Sequence, residues 1–451
     1  MIVHATHLRH CFLVTLAAAT AAGPIALAAE PWSQIVRVDP ARPSHFARED
    51  GSPVFIFNKT AWFYFVTPDP EIVLDRAERL GTNVLRVGLE CRYYEKRLGW
   101  DAWPWGGTRE APDYTTFNET YWAAVEARLT RAGERGLGIN LTLFTSLHLP
   151  DEPDSFATIR PYLERVLARL APHPNIFCWE IHNEHIANPN FQREVARFLR
   201  ERDPARRPVI TSNGTTDTPI WPEAPWLDLA VVHHCTGNQP AYDLRDWYLA
   251  IARNTRAFGK PAYNNETGRE RRHRNDDPVH RRKQLWIAAA AGTYTTWHSW
   301  DGCEGIADPE YVAPGEPFVR PFADWWRSQP FADVAPAHSV LQVDGEPALR
   351  DEVIPVVLAT PTRDVVLAYL FTRSGGRAIA DAQARLRLPA GEYRITWFDP
   401  AIGQARGAAT RVAAAGLHRS ILIDLPGFTD DLALRIDQER ADDPVPMPGT
   451  G

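Results

Sequence analysis

An alternation constrains this chain more than any other feature. Between residues 53 and 328, eight short apolar runs are separated by segments whose apolar residues recur at helical spacing, except after the fifth run, where the stretch is irregular. The runs are 53–58, 82–87, 138–144, 175–182, 208–212, 227–233, 260–265 and 292–297. The helical segments are 69–80, 121–135, 159–170, 191–202, 244–258, 279–291 and 322–328. Short apolar runs divided by helices mark parallel strands covered on both faces. Eight repeats over about 280 residues predict an α/β chain with a (β/α)8 TIM barrel over 29–332 that includes a short N-terminal β lead-in. A doubly wound sheet competes, but it would carry a Gly-rich turn after its first strand. Asn58-Lys59-Thr60 is no such turn.

From about residue 333 the helices stop. Strand-like pieces follow one another at 353–358, 365–371, 384–388, 393–397, 420–425 and 432–436. That predicts a C-terminal antiparallel β-sandwich over 333–438. The Pro/Gly-rich residues 439–451 read as a disordered tail. At the other end, a polar start with Arg9, an apolar run over 11–22 and Ala26-Leu27-Ala28 read as a signal peptide over 1–28, so the chain is expected to be secreted or periplasmic. No later run is long enough to span a membrane. Cys91, Cys178, Cys235 and Cys303 then remain, at spacings that match no zinc motif. They allow three pairings, and free buried thiols are equally compatible with a core this large. The net charge of −7 argues against a nucleic-acid partner. Sixteen Trp, each a flat apolar face with one N–H donor, direct attention to sugar rings; an aromatic core is the rival reading.

In a barrel of this kind the chemistry sits at the C-terminal strand ends. The first run presents Asn58, Lys59 and Trp62; the second Arg86 and Glu90; the third Ser146 and His148. The fourth presents His182, Asn183, Glu184 and His185, and the fifth Asn213. The sixth presents His233 and His234, the seventh Asn265 and Glu266, the eighth Trp297, His298 and Trp300. Glu184 and Glu266 fall on opposite walls of one rim. Retaining glycoside hydrolysis needs such a pair, one carboxyl as nucleophile and one as acid/base, with surroundings that separate their pKa values. Arg86 is placed to keep one of them ionised, and Asn183 to reach a sugar 2-OH. His233 and His234 are adjacent, so at most one faces the rim; His233 is preferred.

Trp179-Glu180-Ile181-His182-Asn183-Glu184 resembles the strand-four motif of clan A retaining glycoside hydrolases, the superfamily of cellulases and β-mannanases. Tyr263-Asn264-Asn265-Glu266 resembles their strand-seven end, Arg86 their strand-two arginine, His233 or His234 their strand-six histidine and Trp297 their strand-eight tryptophan. The resemblance implies Glu184 as acid/base and Glu266 as nucleophile, with no cofactor and no metal. One departure stands out: the clan often has Pro after the acid/base, and here it is His185. Within the clan, Glu266-Thr267-Gly268, Asp277 to Arg282 and Ala291-Gly292 resemble the apiosidase-like hydrolases. Trp397-Phe398-Asp399-Pro400 resembles the hairpin of their collagen-binding-like C-terminal domain.

The implied substrate is an oligo- or polysaccharide held by Asn183, Arg86, His233, Trp297, Trp300, Asn58, Trp62 and His148. A non-catalytic sugar-binding protein on the same fold is the alternative. Glu90 and Glu180 read as supporting ion-pair groups. Tyr93, Tyr94, Trp100, Trp103 and Trp105 are either a sugar platform or a self-packed loop. Arg269, Arg271, Arg272, His273 and Arg274 read as a solvated basic loop or a reader of an anionic sugar. The C-terminal domain is expected to buttress the barrel, with carbohydrate binding as the other role.

Overall fold

A computed structural model describes residues 30–90, 103–108, 110–145, 147–214, 218–234, 241–267, 277–299 and 311–439. The proposed signal peptide, the tail after 439, Trp300, Cys91, Cys235, Cys303 and the basic stretch 269–274 lie outside them. Eight parallel strands carry the first half: β1 (Phe57–Thr60), β2 (Val84–Gly88), β3 (Gly138–Phe144), β4 (Ile176–His182), β5 (Val209–Ile210), β6 (Ala230–His234), β7 (Ala262–Thr267) and β8 (Thr295–Trp297). Six of them form one curled sheet in the order β8-β1-β2-β3-β4-β5, and β6 pairs with β7. Backbone bonds between Tyr294 and both Ala262 and Asn264 join β7 to the approach of β8, and Asp228 N–H donates to Val209 O beside β5.

Helices α1 (Pro70–Leu80), α2 (Glu119–Glu134), α3 (Pro153–Leu170) and α4 (Pro189–Arg202) follow the first four strands in turn. Helices α5 (Ala241–Ala257), α6 (Pro278–Ala290) and α7 (Val319–Arg327) follow the last three. No helix follows β5 among the described residues, as the irregular sequence there foretells. Their start signals are those the sequence carries. Asp69, Asn118 and Asp277 accept backbone N–H groups at the N-termini of α1, α2 and α6. Pro70, Pro153, Pro189 and Pro278 stand in the first helical turn, where the missing N–H costs nothing.

The first strand starts four residues later than the apolar run suggests. Residues 54–56 are buried, but a side chain stands in for a strand partner: Asn83 accepts from Phe57 N–H and donates to Phe55 O, both at 2.8 Å. Of the aromatic loop after β2, Tyr93, Tyr94 and Trp100 lie outside the described residues, whereas Trp103 and Trp105 are buried. Trp103 and Trp105 meet edge-on at 4.9 Å, and Trp105 continues into Tyr114 and Tyr162. Cys178 is a buried free thiol whose pKa burial raises, so it takes no part in a disulfide.

The second half is antiparallel. A seven-stranded sheet includes Val353–Ala359, Val365–Thr372, Asp431–Gln438 and Gly391–Asp399 as consecutive neighbours. A three-stranded sheet is made by Leu341–Asp344, Gln383–Leu386 and Ile421–Asp424. Successive side chains on a strand point to opposite faces. Val366, Ala368 and Leu370 therefore share a core with Leu341, Leu386 and Ile423 of the smaller sheet. Leu367, Tyr369 and Phe371 join the core of the first half. Both faces are covered, which is why these strands read as unbroken apolar runs.

The seam between the halves runs along α6. Arg282 grips Asp431 through two bonds of 2.8 Å, and Tyr369 OH donates to the same carboxylate. Lys283 Nζ donates to Thr372 O at 3.0 Å, and Trp286 stacks on Tyr369. The Arg282 and Asp431 side chains are 3% and 0% exposed. Removing one partner leaves a buried charge uncompensated, so Asp431→Asn is expected to cost about 3–5 kcal/mol in denaturant unfolding. A cost below about 1 kcal/mol would mean that this pair does not hold the seam.

Candidate active site

Arg86 of β2 is the centre of the site. Its side chain is fully buried. Nε and Nη2 donate to the two oxygens of Glu180 at 2.8 and 2.6 Å. Nη2 also donates to Asn183 Oδ1 at 2.8 Å, and Nη1 to Glu266 Oε2 at 2.9 Å. Burial opposes the guanidinium charge, but Glu180 and then Glu266 more than restore it. One cation thus organises the ends of β4 and β7, and the Trp62 ring lies against its face at 4.5 Å. Glu180 accepts further bonds from Asn140, Thr142 and Asn265. Burial works against its charge too, and Arg86 with these donors overcomes it, so its pKa is lowered.

Glu266 is reached from three sides. Besides Arg86, His233 Nε2 lies 3.2 Å from Oε2 and His298 Nε2 lies 3.5 Å from Oε1. Burial would raise its pKa, but His233, His298 and Arg86 together hold it well below the usual value. The β6–β7 register shifts between Val232 and His234, a bulge that leaves His233 facing the carboxylates. The His298 pKa is lowered to about 4, first by burial and against the pull of Glu266, so its ring is uncharged at neutral pH.

Glu184 differs in exposure and backbone. Its side chain is 42% exposed, and its φ of 53° is left-handed, a conformation that costs a non-glycine residue about 1–3 kcal/mol. Ser212 Oγ accepts its N–H at 3.2 Å and so holds the turn. Glu184 Oε1 lies 3.0 Å from His233 Nε2. That contact is the first cause of a lowered Glu184 pKa, with partial burial opposing it. One oxygen of Glu184, one of Glu266 and a His233 nitrogen all lie within 4.8 Å of one another. This triad is the only group of metal-ligand type found among the described residues. Its atoms are engaged with one another and with Arg86.

The structure therefore brings Glu184, Glu266, Arg86, Asn183, His233 and Trp62 together. Three other residues read as sugar contacts stand outside this network. Asn58 is fully buried and donates to Tyr263 OH at 2.5 Å; in register it is one layer below Thr60, the partner of Arg86. Trp297 points to the helix layer, under the Arg281 guanidinium at 4.0 Å, because strand alternation gives the inward position to His298. His148 stacks on His185, the residue after Glu184. Ser212 was not among the strand-end residues read from the sequence, and His298 was read at the end of the eighth run but not among the sugar contacts. The His298 position was readable by counting two residues on from Thr296, which pairs with Asn58.

Facing carboxylates at the ends of parallel strands four and seven, on a curled α/β sheet, place the chain in the glycoside hydrolase class of folds. Residues 42–306 match the apiosidase-like catalytic domain, and the chain belongs to that family. A solved structure described as a glycoside hydrolase superposes with a TM-score of 0.66 at 15% identity, covering 91% of this chain and 98% of its own. A family 5 glycoside hydrolase from Bacteroides vulgatus gives 0.66 at 16% identity, with 91% and 94% covered. A family 30 endoxylanase from Clostridium papyrosolvens gives 0.50 at 11%, with 90% and 100% covered. No curated protein matches the chain.

The lowered Glu266 pKa sets a pH dependence. A depressed carboxylate contributes stability above its unfolded value, here 4.5, and loses it as pH falls through the folded value. Urea unfolding of the wild type is expected to weaken below pH 4.5. Glu266→Gln, which carries no such proton, is expected to weaken less over the same interval. Parallel curves for the two proteins would contradict the Glu266 contacts described above.

Proposed function

We propose that this chain is a secreted glycoside hydrolase that cleaves an oligo- or polysaccharide by a retaining double displacement. On this reading the curled sheet is a (β/α)8 barrel, the C-terminal half a β-sandwich, and residues 1–28 an export signal. The observation that carries the proposal is the spacing and unequal surroundings of two carboxylates. Their nearest oxygens fall within 4.8 Å, in keeping with the roughly 5–5.5 Å between carboxyl groups that a retaining mechanism needs.

Glu266 has the character of a nucleophile: buried, ionised and aimed by Arg86, His233 and His298. It attacks the anomeric carbon as the bond to the leaving oxygen breaks, and Glu184 gives that oxygen a proton. The result is a glycosyl ester on Glu266 and an ionised Glu184. Glu184 then takes a proton from water, whose oxygen attacks the same carbon and frees Glu266. In the free protein Glu184 is lowered chiefly by its His233 contact. A sugar seated between Glu184 and His233 breaks that contact and expels water from the exposed carboxyl. Both changes raise the Glu184 pKa and equip it to arrive protonated. Asn183, fixed by Arg86, is placed for the sugar 2-OH.

Two variants separate the roles. Glu266→Ala should fold and lose nearly all turnover of any aryl glycoside or polysaccharide that the wild type cleaves. Glu184→Ala should slow unactivated linkages about 10²–10⁴-fold and spare dinitrophenyl glycosides in their first step. Azide should then rescue Glu184→Ala as a glycosyl azide of retained configuration. Proton NMR of the first sugar released by the wild type should show the substrate's own anomeric configuration. Inversion in that spectrum, or full activity in Glu266→Ala, overturns the mechanism.

A further inference from the structure

His185 occupies the position directly after Glu184, and it does not stand alone. Its ring stacks on His148, at the end of β3, with centroids 4.1 Å apart and planes 23° from parallel. His182, the last residue of β4, lies beside both at 5.0 and 5.8 Å. Phe144 and Phe191 close the other side of His182 at 5.1 and 6.1 Å. The cluster is graded in depth: His182 is buried, His185 half-buried and His148 exposed.

The loop that carries His185 is built to hold it. Gln192 Nε2 donates to His185 O at 2.7 Å and to Asn188 Oδ1 at 2.9 Å. Asn188 Nδ2 in turn donates to Leu149 O, tying the loop after β4 to the loop after β3. Burial lowers the pKa of both His182 and His185, and the neighbouring imidazoles add to it. These two rings are therefore uncharged at neutral pH. The result is an aromatic cluster, open at His148, that ties the end of β4 beside Glu184 to the loop after β3. The Glu184 carboxyl itself points the other way, to His233 on β6.

We propose that the His148–His185 stack is the subsite for the leaving-group residue of the substrate, and that it selects a leaving group with an apolar ring face. The inference rests on Glu184 being the proton donor. The donor sugar then lies between Glu184 and Glu266, and the departing residue must extend past Glu184 on its free side. A stack of flat rings favours the C–H face of a sugar over a small leaving group that has no ring face.

The test compares two substrates with one donor sugar: the oligosaccharide that the wild type cleaves, and the glycosyl fluoride, whose leaving group has no ring. In His148→Ala and His185→Ala the ratio of kcat/KM for oligosaccharide over fluoride should fall about tenfold, the size of one lost ring contact. His148→Phe, which keeps a flat ring, should hold the ratio to within about twofold of wild type. The fluoride rate in each variant also reports whether the catalytic pair is intact. A ratio unchanged in both alanine variants, or lost equally in His148→Phe, overturns the subsite. A wild type that hydrolyses neither substrate overturns the enzyme assignment itself.

Discussion

One buried cation orders the site. A guanidinium without a partner in the core of a sheet would be very costly, so its donors must be met where they point. Arg86 meets them with Glu180 and Asn183 from the end of β4 and Glu266 from β7. Its planar fork dictates how those groups sit, which the single point charge of a lysine would not do. The sharing is unequal, and the inequality separates the two acids. Both oxygens of Glu180 are taken by Arg86, and Asn140, Thr142 and Asn265 saturate what remains. Glu266 receives one Arg86 contact and looser approaches from His233 and His298. Glu180 is thereby fixed as an anchor, and Glu266 is held ionised with one oxygen bonded to Arg86.

Glu184 escapes the same network by a backbone device. Glu180 and Asn183 both reach Arg86, whereas His182 between them packs on Phe144 and Phe191, so strand alternation has ended before Glu184. The left-handed φ at Glu184 turns the chain there, and Ser212 fixes the turn. The carboxyl comes out half in water, with His233 as its main partner. Two glutamates of the same sheet thus end in different electrostatic settings for a local conformational reason. Such a turn leaves little trace in sequence, because nothing in Asn183-Glu184-His185 demands a positive φ.

Much of the remainder was legible. The β3 strand, Gly138–Phe144, coincides with its apolar run because it is buried along its whole length between neighbours of the same kind. The Arg86, Glu184 and Glu266 constellation followed from which residues end strands two, four and seven. The β1 start was displaced because Asn83 imitates a strand edge, and a side-chain amide carries no periodic signal. Trp297 and His298 were exchanged because family resemblance weighed the tryptophan, whereas the parity of the strand decides which side chain points inward. Thr410–Ala414 passed unnoticed for the opposite reason: most of it is exposed, so it shows no apolar pattern at all.

Helix α6 shows why the two halves behave as one structure. Arg281, Arg282, Lys283 and Gln284 follow one another in α6, and all four are buried. Charged side chains in a core are tolerated only with partners in place, and several of those partners belong to the C-terminal half: Asp431 for Arg282, and Thr372 for Lys283. Arg281, one residue earlier, turns the other way and donates to His298 O while covering the Trp297 ring. A single turn of helix therefore bonds the antiparallel sheet on one side and, on the other, the strand end that presents His298 to Glu266. The C-terminal half is joined to the chemistry by neutralising the helix behind it, a role that needs no sugar-binding surface of its own.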